Sequence, residues 1–179
     1  MLIILEGPDG AGKTTLLNTL RDKLPFYAGF IRTNSKARTL GELIHMGVDL
    51  IDLGAPINKP PFIVDRHPFI SEWVYGPILR GDRLFPYNLE KVYDRYLNPI
   101  EALIVYCRPD NLTVYQNVQR VDQRIGIRRE IQQIIQSYDA TMLELKSLGA
   151  DIVEYDYTQG KGPAKLIDLI VKYKEEVDG

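Results

Sequence analysis

Short apolar runs alternate with stretches of helical periodicity along the whole chain. The apolar runs fall at 2–6 (LIILE), 28–32 (AGFIR), 62–65 (FIVD), 102–107 (ALIVYC) and 151–155 (DIVEY). Between them the spacing of apolar positions predicts helices over 14–24, 40–53, 71–79, 89–96, 111–119, 127–148 and 164–176. Continuously apolar strands separated by helices read as a parallel sheet covered on both faces. The loop-rich stretch is 54–61, GAPINKPP, whose prolines and glycine stop any helix before the third strand. Without repeats, low-complexity tracts or a linker, the pattern predicts one α/β domain over 1–179.

Composition narrows the class. A chain of 179 residues can bury a full core, and an apolar fraction of 45% argues against wholesale disorder. Twenty-two basic residues against 24 acidic ones leave a net charge of -2, so no global basic field points to DNA or RNA. Cys107 is the single cysteine, which excludes an intrachain disulfide and a cysteine metal cluster. Its place in ALIVYC predicts a buried thiol on a strand. No apolar run approaches the ~18 residues of a membrane span, and the N-terminus lacks a secretory pattern. A cytoplasmic protein without membrane contact is the expectation.

Chemistry enters with the first strand's exit. Gly7-Pro8-Asp9-Gly10-Ala11-Gly12-Lys13-Thr14 fits G-x-x-x-x-G-K-[ST] at every required position, with a strand before it and a helix after it. Glycines let successive backbone N–H groups turn inward around an anion, and the following helix aims its positive end at the same phosphates. Lys13 is expected to reach the β/γ-phosphates of ATP, and the Thr14 hydroxyl to ligate Mg²⁺. Gly7, Asp9, Gly10, Ala11, Gly12, Lys13, Thr14 and Thr15 together form the expected nucleotide cradle.

The second signal is the stretch PFIVDRHPFISEWVYG, residues 61–76. Its strand ends in Asp65, the type of carboxylate that assists Mg²⁺ beside a P-loop, whereas ALIVYC ends without an acid. Arg66 follows at once, a planar cation at the carboxyl edge of the sheet, where open α/β folds bind ligands.

The EGPDGAGKTT loop, the strand ending in Asp-Arg-His and the Ser71-x-x-x-Tyr75-Gly76 beyond it resemble thymidylate kinase. The wider group is the P-loop deoxynucleoside monophosphate kinases, which include short phage-encoded members. That resemblance implies a P-loop NTPase fold of the nucleoside/nucleotide kinase type. It further implies a five-stranded parallel sheet, a homodimer, and transfer of the ATP γ-phosphate to a deoxynucleoside monophosphate. Asp9 matches the P-loop acid near the acceptor's sugar and metal. Arg66 matches the arginine that binds the acceptor phosphate, and Arg32, closing the second strand, the arginine gripping that phosphate from the other side. Tyr75 matches the tyrosine that crowds the sugar 2′ position and favours deoxyribose.

The arginine-rich run QRVDQR, continuing into GIRR, stands where such kinases carry a mobile lid, about 119–129. Arg120 and Arg124 are its expected catalytic cations, since phosphoryl transfer needs positive charge on the equatorial oxygens. A solvated basic helix face is the competing reading. The segment between Lys13 and Asp65 is shorter than in bacterial thymidylate kinases, which leaves the base-stacking aromatic and base-reading arginine unassigned. Glu72 stands where the family places an uncharged polar residue near the base. Thymine, a 5-substituted uracil such as hydroxymethyluracil, or several bases fit; dTMP and 5-hydroxymethyl-dUMP are the corresponding expected acceptors.

Other residues read more plainly. Trp73, between Ile70 and Val74 at helical spacing, fits the core better than a stacking site. His45 and His67 have no metal-ligand spacing between them. Two rival functions stay in view: a deoxynucleoside kinase, and a P-loop kinase acting on a modified base in DNA. The first wants a carboxylate base near its hydroxyl acceptor. After the second strand, however, the chain reads Arg32, Thr33, Asn34, Ser35, Lys36, Ala37, Arg38, with no acid before Glu42. A cationic segment suits an acceptor that already carries phosphate. Nucleic acid is accordingly not the expected partner, although a local groove binds DNA without a basic pI.

Overall fold

Every predicted strand is present in the computed structural model, which describes residues 2–24, 29–32, 37–54, 62–100, 102–120, 125–160 and 162–178. The strands are β1 (Leu2–Glu6), β2 (Gly29–Arg32), β3 (Phe62–Asp65), β4 (Ala102–Cys107) and β5 (Asp151–Tyr155). They form one parallel sheet in the order β2-β3-β1-β4-β5. Position 28, part of the predicted second strand, and most of the 54–61 loop lie outside the described residues.

Side chains alternate across this sheet, and each face has its own core. Leu2, Ile4, Val64, Ile104 and Tyr106 pack under α2 (Leu40–Gly54), α3 (Pro68–Arg80), α4 (Leu89–Val92), α5 (Asn111–Arg120) and α6 (Ile125–Ser147). Ile3, Leu5, Ile63, Leu103, Val105 and Cys107 pack against α1 (Lys13–Lys23) and α7 (Ala164–Asp178). Both faces being covered explains why the central strands are apolar throughout. Cys107 is fully buried, and burial pushes its thiol up to about 12, which leaves it an inert core group.

Two helices depart from the pattern. Helix α3 starts at Pro68, three residues ahead of the predicted 71, because proline is preset for the first helical position and has no N–H to lose there. The predicted 89–96 helix splits into α4, capped by the Asn88 side chain taking the Lys91 N–H, and a π-helical turn over Tyr93–Leu97. The wider turn, closed by Asn98 N–H on Tyr93 O at 2.8 Å, lets Tyr96 and Leu97 both reach the core.

The strand order sets the site. β1 lies between β3 and β4, so the loop leaving β1 is bordered by the ends of both neighbours, where the chain switches from one side of β1 to the other.

Candidate active site

The loop from Gly7 to Gly12 needs its glycines for space and for backbone angle. A Cβ on Gly7 would lie 2.4 Å from the Cys107 carbonyl oxygen at the end of β4. Gly12, at φ 81°, caps the start of α1, and a Cβ there would meet the Tyr157 ring at 2.8 Å. Ala11 N–H closes the turn on Pro8 O at 3.3 Å, and Leu16 N–H reaches Gly12 O at 3.0 Å as α1 begins. Thr14 and Thr15 are exposed on the first turn of that helix.

Lys13 folds back over the loop. Its ammonium donates to Gly7 O at 2.8 Å and Pro8 O at 2.6 Å, and the residue is 7% exposed. Burial, reinforced by the nearby Arg66 cation, pulls its pKa down to about 8, against the opposing pull of Asp9, Cys107 and Asp65. A polyanion in the loop would favour the charged form and supply acceptors in place of the two carbonyls.

Arg66 is the centre of the cluster. Its backbone sits at φ 73°, the one positive φ among the described non-glycine residues, a conformation costing on the order of 1–3 kcal/mol. Arg66 N–H donates to Leu5 O at 3.0 Å, extending the β1–β3 pairing by one residue before the chain turns into α3. The guanidinium then lies over the loop: Nη1 donates to Gly7 O (3.0 Å) and to the Tyr138 hydroxyl (2.5 Å), and Nη2 to Asp9 Oδ1 (3.2 Å). The Tyr75 hydroxyl donates to the other Asp9 oxygen at 2.7 Å, and the Arg66 guanidinium stands 5.1 Å from the centre of the Tyr75 ring. Burial alone would raise the Asp9 pKa; Arg66, Lys13 and the Tyr75 hydroxyl outweigh it and hold the carboxyl below its usual range.

Glu6 ends β1 with no exposed surface. Its carboxylate accepts the His67 N–H at 2.5 Å and the Tyr138 hydroxyl at 3.1 Å. Burial pushes its pKa up to about 7, against the opposing fields of Arg66 and Lys13. The acid was visible in the sequence as the polar end of an otherwise apolar strand, yet only the fold shows what it meets. Tyr138 carried no local signal at all, being one more buried position of α6. Asn117 on α5 likewise emerges only here: its Nδ2 donates to Gly10 O at 2.8 Å and to the Tyr157 hydroxyl at 2.9 Å.

The structure thus brings Asp9, Lys13, Arg66 and Tyr75 to one place and adds Glu6 and Tyr138. Asp65 is 5% exposed at the end of β3, paired in register with Leu5 of β1 and Arg32 of β2. The Arg32 side chain and all of Arg124 lie outside the described residues, and Arg120 is exposed at the end of α5. Glu72 is committed elsewhere: its buried carboxylate accepts from Arg80 and from Leu84 N–H at 2.9 Å, so a ligand would have to displace that pair. His67 is buried, its ring 6.3 Å from that of Phe69, and Trp73 packs beside Phe85 at 6.0 Å with Arg83 over its face. No group of three or more His, Cys, Asp or Glu able to hold a metal occurs among the described residues, and none of their helices is long and apolar enough to cross a membrane.

No protein-family model and no curated protein sequence matches this chain. Solved structures do. The YorR protein from Bacillus subtilis, in complex with phosphorylated GDP, superposes with a TM-score of 0.70 at 22% identity, over 98% of each chain. Deoxyadenosine kinase from M. mycoides, with the products dCMP and a flexible dCDP bound, gives 0.61 at 14% identity, over 99% of this chain and 100% of the other. The same enzyme with bound dATP gives 0.61 at 16% identity, over 96% and 98%. Identities this low speak to architecture, and over nearly the whole length the chain shares the fold of these structures, here a five-stranded parallel sheet flanked by helices with the glycine-rich loop leaving its central strand.

Proposed function

We propose that this chain is an ATP- and Mg²⁺-dependent deoxynucleoside monophosphate kinase, thymidylate-kinase-like, which passes the γ-phosphate to dTMP or a related dNMP such as 5-hydroxymethyl-dUMP. The observation that carries the reading is the placement of the Arg66 guanidinium 3.2 Å from Asp9, inside the loop whose lysine would hold the donor phosphates. A fixed planar cation on the acceptor side of a phosphate loop suits an acceptor that is itself a phosphate. In this reading Lys13 follows the γ-phosphoryl group, and Arg66 with Arg32 grips the acceptor phosphate. Tyr75 packs on the acceptor sugar, and Arg120 and Arg124 supply charge from the lid. The enzyme acts on free nucleotides, as a homodimer in the cytoplasm.

The donor set fits Mg²⁺. Thr14 offers an exposed hydroxyl and Asp65 a single carboxylate, and this ion is commonly held by one or two carboxylates plus substrate phosphates rather than by an all-protein cage. When bound, it neutralises charge on the β- and γ-phosphates.

A deoxynucleoside kinase is the second reading, supported by the likeness to deoxyadenosine kinase from M. mycoides. One assay separates the two and includes the DNA alternative. The protein is incubated with ATP, Mg²⁺ and each of the four dNMPs, 5-hydroxymethyl-dUMP, the matching nucleosides, or a DNA oligomer with a modified base. Formation of a dNDP is the expected result. Phosphorylation of nucleosides alone, or of the oligomer alone, overturns the monophosphate reading.

A further inference from the structure

The contacts around Arg66 close on themselves. Arg66 Nη1 donates to the Tyr138 hydroxyl, that hydroxyl donates to Glu6 Oε2 at 3.1 Å, and Glu6 Oε1 accepts the N–H of His67, the residue bonded to Arg66. We propose that Glu6 and Tyr138 are positioning residues, a buried brace that fixes both the left-handed backbone of Arg66 and the direction of its guanidinium. The inference rests on the reading of Arg66 as the group that holds the acceptor phosphate.

Physical cost is the reason for taking the brace as functional. Glu6 and Tyr138 are both fully buried. An acid taken out of water is a weak source of stability compared with an apolar side chain of similar volume. Its two oxygens instead serve two separate donors, one on the backbone after Arg66 and one on the far helix α6. The backbone bond supports a φ of 73° that is costly for an arginine, and the tyrosine bond joins those to Gly7 O and Asp9 in keeping the long guanidinium arm over the loop. Ring contacts keep the tyrosine in place: Tyr138 stands 6.2 Å from the stacked Tyr106 ring and 5.9 Å from the edge-on Tyr75 ring. A pre-set cation gives up little freedom when a phosphate arrives, so the gain lies in acceptor affinity and not in binding of the donor.

Tyr138→Phe tests this while preserving the ring packing, and Glu6→Gln is the second variant should the first fail to fold. The Gln side chain offers one acceptor oxygen where two are used. For the dNMP turned over best, KM for the acceptor is expected to rise about ten-fold, with KM for ATP within a factor of about two. A purely structural role would lower Tm and leave both KM values in place. Independently of activity, hydrogen exchange at Arg66 Nε–H, identified by its disappearance in Arg66→Lys, is expected to speed up about ten-fold in Tyr138→Phe. Unchanged exchange, or an unchanged acceptor KM in variants of a protein whose Arg66→Ala form does lose acceptor affinity, overturns the brace. If wild-type protein turns over no dNMP, it is the proposed function that fails, and the exchange measurement alone decides the brace.

Discussion

The Arg66 guanidinium meets the Asp9 carboxylate at 3.2 Å, tying the end of β3 to the middle of the phosphate loop. Their side chains are 14% and 21% exposed, so solvent screens this pair much less than a surface ion pair. Through it the cation that follows β3 and the glycine-rich loop that follows β1 are held as one unit.

From that pair comes the first expectation. Losing one charged hydrogen-bonding partner at a mostly buried site costs roughly 1.5–3 kcal/mol, or about 10- to 150-fold. Arg66→Ala should raise the acceptor KM by that factor, and Arg32→Ala should raise it as well, each leaving ATP binding without acceptor nearly intact. Steady-state kinetics on each dNMP checks it; wild-type KM values in both variants would move the nucleoside or DNA acceptor ahead.

Lys13 carries the second. Lys13→Ala should abolish turnover while the far-UV spectrum and a cooperative melt persist. Near-normal turnover in that variant would refute the ATP-site assignment.

The pH dependence of nucleotide binding follows from the same residue. With its pKa depressed to about 8 by burial and by Arg66, Lys13 loses its proton as the pH climbs past that value. The charged form is the one a polyphosphate prefers, so ATP affinity should fall as pH rises through about 8. Calorimetric titration between pH 7 and pH 9, roughly one unit either side of that pKa, reads the decline, and Lys13→Ala should bind weakly with a flat profile.

Asp65 is tested through the metal. Asp65→Asn should raise the Mg²⁺ concentration needed for activity or remove activity, with acceptor binding little changed. An unaltered Mg²⁺ titration would rule out the metal-side role.

Stability should report on Glu6. Its pKa rises from 4.5 to about 7 in the fold, so the folded chain holds this proton more tightly than the unfolded chain does. The contribution is therefore complete below about 4.5 and is lost as pH rises through about 7, a change on the order of 3 kcal/mol. Denaturant titrations across that window should show the decline in the wild type and a flatter profile in Glu6→Gln. Parallel profiles would mean that Glu6 does not titrate there.

How much was legible in the sequence depends on the range over which each feature is encoded. Residues 2–6 and 7–14 announced a strand and a phosphate loop because apolar runs and glycine spacing act on their own few residues. The strand and helix segments followed for the same reason, with the exceptions at Pro68 and at Tyr93–Leu97, where a cap rule and core packing moved the boundaries. Asp65 and Arg66 could be placed at a strand end but not given partners. The order β2-β3-β1-β4-β5, which puts β1 between its neighbours, is a tertiary fact. So is the meeting of Glu6 with Tyr138 across 132 positions, and of Asn117 with Gly10 across 107. Local pattern specifies which face of a strand or helix is buried. Which buried or capping polar groups then find one another is decided only when the elements pack, because a hydrogen bond between distant residues leaves no periodicity in the chain.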